Sequence, residues 1–384
     1  MPISHNFDGG NIYVIEDSNS KNIQLRIRED ASSCFFQWFY FRMHGLCHMP
    51  CNIEIQNAGG ATYPRGFENY DVVYSYDRIN WIRHPTNFSN GILNIQFTPL
   101  QDAVYFAYFA PYSMERHADL IARTLSSPLA SLRVLGQTLD GRDLDLIQVS
   151  NGNNLNKKKN CWFIARQHPG ETMAEWWMEG ALEWLGTQNT IERNSLLDLC
   201  DLFLIPNMNP DGSYRGHLRT NAAGRNLNRE WEKPTMETAP EVFLVKEAMS
   251  KIGVDFFLDI HGDESLPHNF IAGTEGLINW SLEKQHQLDF YKNALKDINK
   301  DFQTEVGYPI KERGSANLNM SAAQIASQHG CLAMTLEMPF KDTLENPNKT
   351  LGWSPSRCKN LSISCLQALN QYLKKFNYLK FTSS

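Results

Sequence analysis

No stretch of this chain is long and apolar enough to cross a membrane, and its start, Met1 to Gly10, lacks the basic and apolar regions of a secretory leader. A protein that stays in the cytoplasm is therefore expected. An excess of positive charge is also missing: 36 Lys and Arg stand against 42 Asp and Glu, a formal net charge of -6. That balance supplies no electrostatic footprint for nucleic acid or an anionic membrane, so neither is expected as a partner. Cysteine is sparse. Cys34, Cys47, Cys51, Cys161, Cys200, Cys331, Cys358 and Cys365 lie mostly in apolar segments, where they read as small buried hydrophobes rather than a disulfide framework. Internal repeats, low-complexity runs and long charged tails are absent, which excludes solenoids and binding tails.

What is present is a chain of 384 residues, 42% of them hydrophobic, long enough for two domains with cores of their own. Between Asn22 and Tyr112, short alternating and aromatic-rich runs at 23–27, 35–43, 53–55, 72–76, 92–97 and 104–109 are separated by turns such as Gly59-Gly60 and Asn90-Gly91. This spacing predicts an antiparallel β-sandwich, with Phe36, Trp38 and Tyr40 in its core rather than on a binding platform. Beyond Ser131, strands at 132–135, 144–149, 161–165, 202–205, 254–260 and 331–336 alternate with helices at 172–185, 240–251, 282–298, 318–327 and 355–376. The alternation predicts a mixed α/β domain with helices on both faces of its sheet. A helical pattern at 114–125 connects the two parts, giving expected domains of 1–115 and 116–384. Trp176, Trp177, Leu182 and Leu185 are expected to be core.

Three predicted strands end in residues suited to metal chemistry. The run Cys161 to Ala165 leads into His168-Pro169-Gly170-Glu171, and the run Val254 to Ile260 leads into His261. Two His and one Glu at strand ends make three zinc ligands and leave the fourth position of a tetrahedral ion open, as a catalytic site requires. The strand Cys331 to Leu336 ends in Glu337, a carboxylate that has to be paired, solvated in a cleft or catalytic. Between the His motifs, the turn Asn209-Pro210-Asp211-Gly212 precedes Arg215, Arg219, Arg225, Asn228 and Arg229. On charge alone that loop reads as a solvated basic surface, whereas guanidinium groups in a site bind carboxylates through paired donors and polarise carbonyls. His44, Cys47, His48 and Cys51 resemble a zinc knuckle, but they are spaced too tightly for paired-ligand modules and read better as a turn.

In this order, His168-x-x-Glu171, Arg219, Asn228-Arg229, His261 and Glu337 resemble the zinc metallocarboxypeptidases related to carboxypeptidase A. The wording "HPGETMAEWWMEG", "NPDG", "RGHLRTNAAGRNLNREW", "LDIHGD" and "TLEMPF" is similar to the cytosolic carboxypeptidase branch. So is the N-terminal wording "FQWFYFRMHG", "YPRGFENYDVVYSYDRINW" and "VYFAYFAPYSMERH", so the resemblance covers nearly the whole chain. It implies one zinc per chain, held by His168, Glu171 and His261. It further implies Glu337 as general base, Arg219 as the group steadying the oxyanion, and Asn228 with Arg229 gripping the C-terminal carboxylate of a peptide or protein tail. The implied reaction is hydrolysis of the C-terminal peptide bond by a zinc-activated water.

The chain departs from the family in three places. Asn226 stands where the family commonly has an Asp that hydrogen-bonds the first zinc His, so that His lacks a charged partner. The family's mobile capping Tyr has Tyr308 as its nearest counterpart, in a Gly-Pro turn that packing alone also explains. The stretch 317–328 holds no Lys or Arg to suit a glutamate side chain, which leaves Lys311, Arg313 or Lys341 to serve from elsewhere. Two other readings fit the same residues: an amidase or deacylase of the same fold acting on small N-acyl amino acids, and a non-catalytic zinc-binding interaction protein. Asp263 and Glu264 are expected to be solvated.

Overall fold

The computed structural model describes residues 2–153, 158–187 and 189–378. Its N-terminal part holds two five-stranded sheets. One runs Ile3–Ser4, Tyr40–His44, Ala103–Ala107, Asp71–Ser75, Ile82–Pro85, and the other Tyr13–Glu16, Ile23–Arg26, Cys51–Ile55, Ile92–Phe97, Asn87–Ser89. Alternation drives the packing: Cys51, Ile53 and Ile55 are buried between outward-leaning Asn52 and Glu54. The sheets face each other, with the Phe97 ring edge-on to Phe106 at 5.0 Å and to Tyr74 at 4.9 Å. One pair, Ile23–Arg26 with Cys51–Ile55, is parallel, because the chain passes through the opposite sheet between them. The predicted strand 35–43 shrinks to Tyr40–His44. The segment before it pairs irregularly with residues 62–63 instead: Phe36 N donates to Thr62 Oγ1, Phe36 O accepts from Thr62 N, and Gln37 Oε1 accepts from Tyr63 N.

The second part is built on a seven-stranded sheet in the order Ala130–Gln137, Asp143–Val149, Cys200–Ile205, Lys159–Ala165, Phe256–Asp263, Leu332–Pro339, Phe270–Ala272. The four strands from Cys200–Ile205 to Leu332–Pro339 are parallel, and the outer ones are antiparallel. Their near-continuous apolar runs follow from burial on both faces. Cys161, Phe163 and Ala165 pack against Trp177 and Leu182 of Met173–Thr187 and Leu366 of Pro355–Tyr378. Trp162 and Ile164 face Val242, Val245 and Met249 of Pro240–Ile252 and Ile325 of Ser321–His329. The helix Leu282–Ile298 starts at Ser281, whose hydroxyl accepts from Lys284 N.

Several short elements escaped the sequence reading, among them the strands Ile3–Ser4, Tyr13–Glu16, Ile82–Pro85 and Asn87–Ser89 and the helix Pro210–Arg215, which begins where a turn was expected. The helix Ile191–Leu199 is capped by Thr190 and buries Leu196 and Leu197, while Phe270–Ala272 adds an edge strand. The helix predicted from 318 begins instead at Ser321, because Asn317 Oδ1 takes Asn319 N in a turn and Asn228 Oδ1 takes Ser321 N. Gly180 lets the helices Met173–Thr187 and Pro355–Tyr378 touch: a Cβ there would sit 2.4 Å from Lys359 Cα.

The two parts are joined by buried polar contacts. Arg83 donates to Asp71 O, Phe340 O and Trp353 O, and Lys341 Nζ donates to Glu68 O and Arg65 O. Tyr108 stacks on Phe340 with centroids 4.6 Å apart. Lys341 is thereby committed to the junction.

Candidate metal centre and cleft

The site gathers at the carboxyl ends of the parallel strands, where open α/β sheets expose their loops. After Lys159–Ala165 the chain turns through Arg166, which has a φ of 59°. That left-handed conformation is strained for a non-glycine residue. Its side chain pins the turn by donating to Pro169 O, Tyr112 O and Glu175 Oε2. His168 and Glu171 follow, and the loop meets His261 near the end of the neighbouring strand Phe256–Asp263.

His168, Glu171 and His261 are buried, with ligand atoms within 4.8 Å of one another. Glu171 is the hub. Its Oε1 lies 2.7 Å from His168 Nδ1, and its Oε2 lies 2.8 Å from His261 Nδ1 and accepts from Gly262 N. The far nitrogen of each imidazole is already engaged: His168 Nε2 lies 3.0 Å from Asn226 Oδ1, and His261 Nε2 lies 2.9 Å from Asp259 Oδ2. Two oriented imidazoles with their Nδ1 atoms converging on one carboxylate fit a zinc ion by donor type and orientation.

The three residues and their neighbours shift one another's protonation. Burial, with Arg219 adding to it, lowers His168 to about 4, so the imidazole is neutral at neutral pH. Burial works to raise Glu171, but the two imidazoles outweigh it and hold the carboxylate low. For His261, burial is outweighed by Asp259 and Glu171, which push it well above the ordinary histidine value. A cation at the center would take over the balancing of these carboxylates.

Glu337 lies opposite His261 in the register of the two adjacent strands. Burial pushes its carboxyl well above the usual range; His261 opposes this, and Glu171 adds to it. Its Oε2 is buried without a hydrogen-bond partner. It borders a cavity of about 330 Å³ shared with Asn228, Thr274, Thr335, Tyr308 and Lys311. Tyr308 donates to Asp263 Oδ2 at 2.7 Å and sets its ring edge-on to Phe270. Asn228 is buried with Nδ2 3.4 Å from His261 Nε2.

The four arginines of the loop separate. Arg215 pairs with Asp140, and Arg225 pairs with Glu230, as a solvated basic loop would. Arg219 instead reaches the center, with Nη1 3.9 Å from Glu171 Oε1 and its guanidinium over the Tyr63 and Phe35 rings. Arg229 is exposed beside it, with Nη1 donating to Asn228 O.

Sequence reasoning missed Asp259, Gln167 and Ser321. Gln167 Nε2 donates to Asp259 Oδ2 at 2.6 Å, and Ser321 Oγ donates to the same oxygen. The available signal was spacing: Asp259 sits two residues before His261 on one strand, hence on the same face. Glu264 is also a correction, since it is buried rather than solvated. The N-terminal part covers it: a Cβ on Gly66 would lie 3.1 Å from Glu264 Cβ. Among the described residues, His168, Glu171 and His261 are the one group of three gathered for a metal; the 44–51 segment forms no second group, and the Cys51 thiol faces Met49 O.

Asn221 shapes the arginine loop, its Oδ1 accepting from Ala223 N and Arg225 N and its Nδ2 donating to Glu241. Burial raises the Glu241 carboxyl from 4.5 to about 7. The folded state thus holds this proton more tightly than the unfolded chain, so stability is lost as pH rises from 4.5 to about 7. At about 1.4 kcal/mol per pKa unit, ionisation costs on the order of 3 kcal/mol. Glu241→Gln is expected to raise the melting temperature at pH 8 and leave it nearly unchanged at pH 4, by calorimetry. A variant that melts lower at pH 8 would contradict this.

Comparison with known proteins agrees with the geometry. Residues 3–109 match the cytosolic carboxypeptidase N-terminal domain, and residues 114–349 match the zinc carboxypeptidase family. A metallo-carboxypeptidase from Burkholderia cenocepacia is 42% identical, with a TM-score of 0.95 over 97% of this chain and 99% of that one. A metallo-carboxypeptidase from Pseudomonas aeruginosa, in complex with (2-guanidinoethylmercapto)succinic acid, is also 42% identical, with a TM-score of 0.94 over 97% and 100% of the chains. Mouse cytosolic carboxypeptidase 6 is 27% identical over 70% of this chain, which spans 54% of the mouse protein. With a cytosolic carboxypeptidase N-terminal domain ahead of it and the His-x-x-Glu and His motifs converging on one point, the chain belongs to the zinc carboxypeptidase family.

Proposed function

We propose that this metallocarboxypeptidase removes the C-terminal residue of peptides or protein tails, with one zinc held by His168, Glu171 and His261. The observation that carries the reading is Glu337, whose unpartnered buried oxygen borders the same cavity as Asn228, one strand away from His261. When bound, zinc supplies the Lewis acidity that polarises a carbonyl and makes water nucleophilic near neutral pH. Glu337 takes the proton from the attacking water and passes it to the leaving amine. Arg219 stabilises the charge that develops on the carbonyl oxygen. Asn228 and Arg229 hold the terminal carboxylate, and Tyr308 closes over the substrate from the cavity wall. The carboxyl-bearing ligand of the Pseudomonas aeruginosa relative is consistent with such a clamp.

Glutamate is the proposed side chain. Of the three cations considered, Lys341 is engaged with Arg65 O and Glu68 O, and Arg313 donates to Ile278 O, whereas Lys311, in contact with Met320 Sδ, lines the cavity with Lys292 and with the acidic Glu275, Asp289 and Glu305. The division into domains 1–115 and 116–384 and a cytoplasmic location belong to the same proposal. Among the described residues no helix is long and apolar enough to cross a membrane.

The test is residue release from a peptide library varied at its last positions, including branched polyglutamate, with N-acyl amino acids assayed in parallel. Acidic preference supports the proposal, apolar preference removes the glutamate assignment, and turnover of the acyl amino acids alone replaces peptidase by deacylase. Arg229→Ala is expected to cost free-carboxylate peptides at least about tenfold in kcat/KM, since charge-assisted pairs are the strong ones. C-terminally amidated peptides, already poor substrates, should change little. Equal losses on both would remove Arg229 from the clamp.

A further inference from the structure

The loop that carries Arg219 is held from outside the catalytic sheet. Asp30, in the N-terminal part, is buried and aims its carboxylate at that loop. Oδ1 accepts from Leu218 N at 2.6 Å, and Oδ2 accepts from Arg219 N at 2.8 Å, Thr220 N at 2.9 Å and Thr220 Oγ1 at 3.0 Å. Four donors converge on one side chain, and one of them is the backbone of Arg219 itself. Neighbouring contacts lock the same segment: Ala31 N donates to His217 Nε2, which leaves His217 Nδ1–H to donate to Thr220 O. Asn11 Nδ2 donates to Gly216 O. A Cβ on Gly224 would lie 2.4 Å from Ser32 O, so the two loops meet backbone to backbone.

The guanidinium end of Arg219 is fixed from the same side. It lies 5.4 Å from the Tyr63 ring centroid and 5.9 Å from that of Phe35, both N-terminal residues. An arginine laid over aromatic faces loses little of its hydrogen-bonding capacity, because the ring takes the cation's face and leaves its edge donors free. With the backbone held by Asp30 and the guanidinium lying over aromatic rings, its donors stay directed at the metal center, where Nη1 is 3.9 Å from Glu171 Oε1.

We infer that Asp30 is a positioning residue for Arg219, with Tyr63 and Phe35 steadying the guanidinium, so that the N-terminal sandwich is a working part of the active site. The inference rests on the proposed role of Arg219 at the developing oxyanion. Preorganisation is the physical reason: a donor contributes to the transition state to the extent that it needs no reorganisation when charge develops. A side chain with two acceptor oxygens is needed to serve donors on both sides. Asn at this position offers one acceptor and turns an N–H toward donors.

The experiment is a double-mutant cycle on the zinc-loaded full chain. Arg219→Ala is expected to lower kcat about a hundredfold, in line with loss of an oxyanion donor. Asp30→Asn is expected to lower kcat at least about tenfold with KM within about twofold. Its affinity for a phosphonate peptide analogue, which carries anionic oxygens like the tetrahedral intermediate, should fall in parallel. In the Arg219→Ala background, Asp30→Asn should add little, because it acts through a side chain already gone. Tyr63→Leu, which leaves the four hydrogen bonds of Asp30 intact, provides the second arm should Asp30→Asn fold poorly, with a kcat loss of several-fold that also vanishes without Arg219. An Arg219→Ala enzyme with normal kcat overturns the oxyanion role and this inference together. If Arg219→Ala is impaired but the Asp30 and Tyr63 effects are absent, or persist undiminished in its background, the inference alone is overturned.

Discussion

Glu171→Gln is expected to yield a folded protein without stoichiometric zinc and with hydrolysis reduced by at least about a thousandfold, since the activation of water by the metal is lost. Glu171 contacts His168 through Oε1 and both His261 and the Gly262 backbone through Oε2. Gln keeps the volume but supplies one neutral oxygen and one N–H. The N–H would face an imidazole nitrogen or Gly262 N, and the charge that attracts a cation would be gone. The fold should survive because the buried carboxylate is itself costly to desolvate. Elemental analysis of dialysed protein, circular dichroism and a peptide-release assay read the three parts. One tightly held zinc per chain in the variant would show that the ion does not depend on Glu171.

Glu337→Gln is expected to do the opposite to the metal: zinc stays at one per chain while kcat falls at least about a hundredfold, the loss that removal of a general base implies. Glu337 makes no hydrogen bond through Oε2 and is separated from the ligand set by a strand spacing, so its replacement disturbs none of the contacts of Glu171. Its burial disfavours the ionised form, the form that accepts a proton. Activity therefore rises with pH through a limb set above the ordinary carboxylate range, and that limb should be missing from the residual rate of the variant. A fully active Gln variant would remove Glu337 from the proton transfer.

The site was legible where chemistry is written locally. His168 and Glu171 share one loop, and His261 and Glu337 each lie at the end of an apolar run, so residue type and strand end sufficed to name them. Partners distant in sequence were not. Asp259, Gln167 and Ser321 come from three elements and meet only when the parallel strands align. Asn226 could be named as the partner of His168, and it lies 3.0 Å from Nε2. That the carboxylate in this shell sits behind His261 instead was not readable, because an Asp before a His on a strand is as easily solvated as buried. The four arginines looked alike in sequence. In the fold Arg215 pairs with Asp140 and Arg225 with Glu230, whereas Arg219 reaches Glu171 and Arg229 stays exposed with Nη1 on Asn228 O.

The order of motifs and the apolar periods by themselves determined the family and the sheet with helices on both faces, and they singled out the three residues proposed to hold the metal, because residue type and strand burial are local properties of the chain. Tertiary structure alone decided how the N-terminal sandwich relates to the chemistry. Asp30 and Leu218 lie 188 positions apart, and no sequence pattern pairs them. Their contact exists because two folded surfaces fit, bringing one buried carboxylate within reach of three backbone N–H groups that the loop itself could not satisfy.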